Sequence, residues 1–441
     1  MTAMRASLFA ACLVAATTPS FASEPVFVIH AGKVIDVDAG KVLADQAIRV
    51  ENGRIARVAA WSAAEARDAK VVDWSRYTVL PGLMDMHTHV ADEGQSADPG
   101  APLKSTPARD AFIGAHNAWD TVRAGFTTVR DVGVYRGFAD VALRDAINAG
   151  DVPGPRMFVA GAYITITGGG GEITGLPEGT VVPDEFRRGV ADDEAQVRTK
   201  VNALFDHGVD FIKVIATGAV LTAGTDVDES EYTEAEIRAA VEEAKRHGSF
   251  VAAHAHGAEG IKRAVRAGVR SIEHGSLIDD EGIALMKQHG TWLVADIYNG
   301  DYIDTVGRRQ GWSAEILQKN LDTTERQRQG FRKAVAAGVN IAYGTDSGVY
   351  PHGDNARQFA YMVRFGLTPM QAIQSATIQP ARHRHQVGEL ARRDRPELAF
   401  AAEQAGDPLA DIGVLRDVRS VIKGGAFVCD GAIECGHHDG H

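Results

Sequence analysis

After Pro81-Gly82 the chain alternates apolar strand candidates with amphipathic helical segments, eight times over, and this repetition restricts the possible folds more than any other feature. The candidates are YTVLPGLMDMH at 77–87, FTTVRDV at 126–132, RMFVAGAYI at 156–164, DFIKVIA at 210–216, SFVAAHAH at 249–256, VRSIEH at 269–274, TWLVADI at 291–297 and VNIAYGTD at 339–346. Strands joined through helices run parallel, because the helix carries the chain back across the sheet. The clearest helix starts at Thr233, whose hydroxyl can cap it while Glu236 reaches back, and it stops at Gly248. Eight units predict an α/β chain with a TIM-type (β/α)8 barrel. An open doubly wound sheet is the alternative, disfavoured by the eightfold count and by the lack of a GxGxxG turn after the first strand.

The flanks read differently. Residues 26–79 form short β-rich runs, with Asn52-Gly53 a hairpin signal, and DIGVLRDVRSVIKGGAFVCDG at 411–431 turns β-like again after a last helix near 368–376. The expected layout is a small β-sandwich domain built from both chain ends, residues 23–80 and 386–434, beside a barrel over 81–385, with a tail at 435–441. The first residues, MTAMRASLFAACLVAATTPSFASEP, carry Arg5, an apolar stretch at 6–16 and a small-x-small site at Ser20-Phe21-Ala22. That is the pattern of a secretory signal peptide over 1–22, so an exported, periplasmic or secreted chain is expected, without membrane contact once the signal is removed. Cys429 and Cys435 could pair near the C-terminus but would staple only a short loop. With 45% hydrophobic and 24% charged residues the chain is ordinary globular material, and its formal charge of −12 opposes nucleic-acid binding. A small-molecule partner is expected.

In a barrel of this kind the chemistry sits at the C-terminal ends of strands. His87 and His89 end the first strand two residues apart, so both imidazoles can meet one metal. Lys213 interrupts the apolar run FIKVIA, His254 and His256 end the fifth strand, His274 ends the sixth, and Asp346 follows the eighth in YGTDSG. A lone strand-end histidine is more often a hydrogen-bonded core residue. The same coincidence on five strands points to a metal site.

Together LPGLMDMHTHV, FIKV, HAH, IEHG and GTDSG resemble the amidohydrolase superfamily in its own order. TITGGGGE at 165–172, IKVIATGAV at 212–220, PHGDN at 351–355 and GLTPMQAIQSAT at 366–377 are similar to its prolidase-like and carboxypeptidase-like branch, which includes ochratoxin-hydrolysing amidohydrolases. The resemblance implies a homo-oligomeric enzyme with two divalent metal ions, zinc being the expected one. His87, His89 and Asp346 would hold one ion, His254 and His274 the other, with Lys213 as an N6-carboxylated bridging ligand. It implies hydrolysis of a dipeptide or N-acyl amino acid by a hydroxide bridging the metals, with Asp346 as the catalytic acid and base. Family patterns put the ligand at His254, leaving His256 for the substrate pocket. Tyr232, His352 and the amides of the glycine-rich 168–171 loop, Gly170 among them, are expected to meet the substrate.

Two features depart from the family pattern. Gly170 stands where relatives usually carry a histidine, and 381–406 reads ARHRHQVGELARRDRPELAFAAEQAG in place of a GxxADLV-like strand. Preserved length with altered content fits divergence or a pair of compensating reading-frame shifts, which resequencing the coding region would distinguish. Two other readings compete. An imidazolonepropionase-like ring hydrolase or deaminase would use one metal and needs no bridging lysine. A non-catalytic binding barrel would have lost ligands.

Overall fold

The computed structural model describes residues 26–92, 94–380, 400–403 and 406–431. The segment expected to be a signal peptide, the tail and nearly all of the divergent stretch at 381–406 therefore lie outside the described residues. Strands β1 (Phe27–Asp36), β2 (Lys41–Glu51), β3 (Arg54–Ala60) and β4 (Lys70–Pro81) come first, β1 pairing antiparallel with β2 and parallel with β4. Asn52 and Gly53 connect β2 to β3 with φ of 51° and 71°, the left-handed pair that a tight hairpin requires and that asparagine and glycine tolerate. The C-terminal strands β14 (Phe400–Glu403), β15 (Val418–Lys423) and β16 (Ala426–Asp430) join the other edge of β4. The hydrogen-bonded order is continuous, β16-β15-β14-β4-β1-β2-β3, and Phe427 of β16 meets Phe27 of β1 and Trp74 of β4 at ring-centroid distances of 6.1 and 6.2 Å, so the sheet folds over on itself. Because β4 bonds to β1 on one side and β14 on the other, both chain ends build the same sheet. Phe27, Ile29, Ile48, Val50, Trp74 and Val79 pack with Ile422 into its core, so the C-terminal strands are tied to the N-terminal ones by burial as well as by hydrogen bonds.

The middle of the chain supplies parallel strands. Strands β5 (Leu83–Thr88), β6 (Phe126–Asp131) and β7 (Arg156–Val159) form one sheet. Strands β8 (Tyr163–Ile164), β9 (Ile212–Ile215), β10 (Val251–Ala255), β11 (Ser271–His274), β12 (Trp292–Val294) and β13 (Asn340–Ile341) form the other, all pairs being parallel. Helices occupy the connections, including Glu234–Arg246 with the capping box expected at Thr233 and Glu236. β6, β9, β10 and β11 are buried at every position, as strands covered on both faces must be.

Two strand expectations need correction. Residues 77–87 are two elements: 77–81 end β4 in the outer sheet, and Gly82 separates them from β5. The strand expected at 156–164 is split into β7 and β8 at Gly161, whose φ is +77° and whose amide donates to Asp140 Oδ2 at 2.8 Å instead of to a neighbouring strand. Backbone bonds from Met86 N to Tyr343 O (2.8 Å) and from His89 N to Ser347 O (2.8 Å) run from β5 to the segment beyond β13. The buried Asp85 carboxylate reinforces that seam by accepting from Thr345 N, Thr345 Oγ1 and Asn355 Nδ2. Parallel strands put their C-terminal ends on one side, so the polar residues that end β5, β10 and β11 converge there. Among the described residues no helix is long and apolar enough to cross a membrane.

Candidate metal centre

Three donor atoms meet where β5 faces the segment after β13. His87 Nε2 lies 3.3 Å and His89 Nε2 3.1 Å from Asp346 Oδ1. His254, His256 and His274 form a second group whose ligand atoms lie within 4.8 Å of one another, and His274, Asp296 and Asp346 a third. Lys213 lines the same cavity. His274 and Asp346 both take left-handed backbone, φ +67° and +57°, a conformation that a residue with a side chain holds only at a cost and that is concentrated at functional positions.

The outer contacts fix which nitrogen faces inward. His87 Nδ1 is 3.0 Å from Glu273 Oε2, His89 Nδ1 is 2.9 Å from Gly133 O, and His274 Nδ1 is 3.0 Å from Asp296 Oδ1. An Nδ1–H donated to each acceptor leaves the lone pair on Nε2, aimed at the cluster, which is the tautomer a metal needs. Glu273 is held in turn by Arg130 Nη2 at 2.6 Å and Ser271 Oγ at 2.5 Å, all three fully buried. Asp296 also accepts from Asn299 and Gln327, each at 2.8 Å.

Electrostatics agree with that donor set. Burial pushes His254 and His256 well below the ordinary histidine range and lowers His87, so these rings are neutral donors. Burial opposes a charge on His89, but Asp346 outweighs it and lifts His89 to about 9, marking a place between ring and carboxylate that draws a positive charge. Burial of the Asp346 carboxyl is likewise outweighed, here by His87 and His89, which hold it well below the usual carboxylate range. Desolvation lowers Lys213 to about 8, despite the Glu273 carboxylate nearby. Neutral imidazoles, an ionised carboxylate and an amine of reduced basicity suit divalent cations.

The expected substrate contacts fare less well. Gly170 and His256 line the cavity, and His256 Nδ1 lies 2.7 Å from Ser276 Oγ. The amides of the glycine-rich loop are already engaged: Gly168 N with Glu172, Gly169 N with Ile166 O, Gly170 N with Glu231 and Gly171 N with Thr165. They are not available to a substrate carboxylate. Tyr232 is absent from the cavity wall, because its hydroxyl donates to Ala191 O at 2.6 Å behind the loop. His352 is also off the wall, packed beside Thr121 Oγ1 at 3.3 Å, and burial pushes its pKa down to about 3.

Sequence reasoning passed over Asp85, Arg130, Glu273, Asp296, Asn299 and Gln327. Asp296 carries the same signal as the ligands, a carboxylate ending the apolar run TWLVADI. Glu273 stands beside His274 in IEHG, and Asp85 stands two residues before His87 on the same side of an extended chain.

A family model described as the amidohydrolase family matches residues 78–428. The chain is 31% identical over 368 residues to an ochratoxinase of Aspergillus niger, across 79% of this chain and 75% of that protein. It is similar to the crystal structure of a Xaa-Pro dipeptidase with bound methionine in the active site, at 36% identity and a TM-score of 0.83, covering 91% of this chain and 99% of that one. A prolidase complexed with N-methylphosphonate-L-proline matches at 30% identity and a TM-score of 0.83, over 92% of this chain and 100% of that one.

Proposed function

Because the chain belongs to the amidohydrolase family and is a hydrolase of amide or peptide bonds, we propose that it is a binuclear enzyme acting on dipeptides or N-acyl amino acids. The observation that carries this reading is the meeting of two donor groups, His87 with His89 and Asp346, and His254 with His274, around one cavity that also holds Lys213. In this reading the two parallel sheets are arcs of one closed (β/α)8 barrel, with the seven-stranded sheet as its added domain. Lys213 is N6-carboxylated: burial leaves its amine neutral often enough to add carbon dioxide with release of a proton to solvent, and the resulting carbamate would offer two oxygens to bound ions.

Bound divalent ions, zinc by expectation, supply an acidified water and a polarised scissile carbonyl. The rest is the work of the chain. Glu273 and Asp296 hold His87 and His274 in the donor tautomer. Asp346, ionised and anchored through Oδ2 by Asn299 Nδ2 at 3.1 Å, accepts the proton of the attacking water and passes it to the leaving amine nitrogen. His256 stands in the wall as a neutral donor or acceptor for the substrate.

A panel of Xaa-Pro, Xaa-Arg and Xaa-Phe dipeptides and N-acyl amino acids, offered to zinc-loaded protein, tests this. Release of a free amino acid from at least one class is expected; cleavage of cyclic imides or deamination of nucleobases in their place would contradict it. Export is a separate proposal, resting on the order of charged, apolar and small residues in 1–22. N-terminal sequencing of protein from its native host should find a chain beginning at or near Ser23, and an intact Met1 would reject it.

A further inference from the structure

The loop after β9 forms one wall of the metal cavity through Ala219, Val220, Leu221 and Thr222. Leu221 and Thr222 also line a second cavity of about 200 Å³, whose other side includes Trp312 and Ile316, so this loop is a partition between two spaces. Within the loop Thr225 Oγ1 bonds to Ala219 O and Thr222 O, and one ammonium ties the same carbonyls to a helix. Lys319, on the helix Ala314–Ala337, donates to the backbone carbonyls of Ala219 (3.1 Å), Thr222 (2.6 Å) and Thr225 (3.1 Å), and its fourth neighbour is Glu315 Oε1 at 3.1 Å. Glu315 completes the anchor by accepting from Gly224 N at 2.8 Å. Thr222 passes the restraint on, donating from Oγ1 to Gly170 O at 2.7 Å.

The side chain of Lys319 is only 11% exposed, and its three N–H donors are spent on carbonyls of one loop. Those dipoles and the carboxylate take the place of water around the ammonium. With the ammonium removed, Ala219 O and Thr222 O keep Thr225 Oγ1 as donor, at 3.2 and 2.9 Å, but the tie from these carbonyls to the helix is lost and the loop is free to shift. We propose that Lys319 is the positioning residue that sets this partition and thereby the enzyme's affinity for the part of the substrate seated against it. The inference rests on the amide-hydrolase reading above. Lys319 touches none of the proposed metal ligands, so the chemistry beyond the wall should survive its loss.

The test is Lys319→Ala, assayed with the best amide of the panel. KM should rise at least tenfold while kcat stays within threefold and metal content is unchanged, and added propylammonium should recover part of the KM, whereas propanol should not. A folded Lys319→Ala enzyme with unaltered KM, or one that loses kcat and metal together, overturns the inference. If this variant does not fold, Glu315→Gln replaces it: a KM raised at least threefold supports the anchor, and an unchanged KM overturns it. The two possible failures are distinct, since wild-type enzyme that cleaves no amide overturns the functional reading, while cleavage with an indifferent Lys319 overturns the inference alone.

Discussion

Replacing Lys213 by alanine is expected to lower turnover by at least about 10²-fold, beyond the 10–100-fold that loss of an outer-shell partner typically costs at a metal site. The reason is electrostatic as much as geometric. Lys213 is 1% exposed inside β9, its strand pairs with both β8 and β10, and it lines a cavity that also holds five histidines. Without a carbamate those rings would face two divalent charges with Asp346 as the main anionic donor, so metal affinity and turnover should fall together. A short carboxylate such as acetate can occupy the space vacated by the side chain and supply two oxygens, so partial recovery of activity with added acetate is expected. Turnover and metal content near wild type in Lys213→Ala would contradict the bridging role and favour a single-metal ring hydrolase.

Asp346→Asn should reduce kcat by about 10²–10⁴-fold, the range typical for loss of a general acid–base group. Asparagine keeps the shape, and Asn299 can still bond to it, but it can neither take the proton from water nor deliver one to the departing amine. It also removes the charge that His87 and His89 face at 3.3 and 3.1 Å, so part of the loss should follow weakened metal binding. Assays at saturating metal separate the two. A variant that regains full turnover when metal is supplied in excess would show that Asp346 is a ligand without a proton-transfer role.

The clustered histidines, Lys213 and Asp346 were legible because each breaks a pattern. A histidine or lysine inside an apolar strand is conspicuous, and strand-end placement turned scattered histidines into one site. The layer beneath them was harder to see. Arg130 and Glu273 interrupt apolar runs just as conspicuously, yet nothing in a linear sequence says that they bond to each other across 143 positions or that Glu273 fixes the His87 tautomer. The substrate contacts misled for a related reason. A run of four glycines leaves backbone amides sterically open, but whether those amides are free depends on Glu172, Glu231 and Thr165, which approach from separate segments or from the loop's own end. Tyr232 precedes a helix cap at Thr233, a position fixed by local chemistry, while its hydroxyl direction is fixed by Ala191 on another segment. In the fold, strand positions came from hydrophobicity, though the strand expected at 339–346 is only Asn340–Ile341, and the break at Gly161 and the pairing order of the outer sheet depend on partners distant in sequence.

The central claim is that two ions occupy this cavity, and the direct measurement is metal content against activity in protein folded with bicarbonate present. The proposed donor set, five side chains and a carbamate, would exceed what one tetrahedral ion takes. Two equivalents of divalent metal per chain are expected, with activity lost when a chelator removes them and regained only as the second equivalent returns. Full activity at one equivalent or fewer would contradict the account.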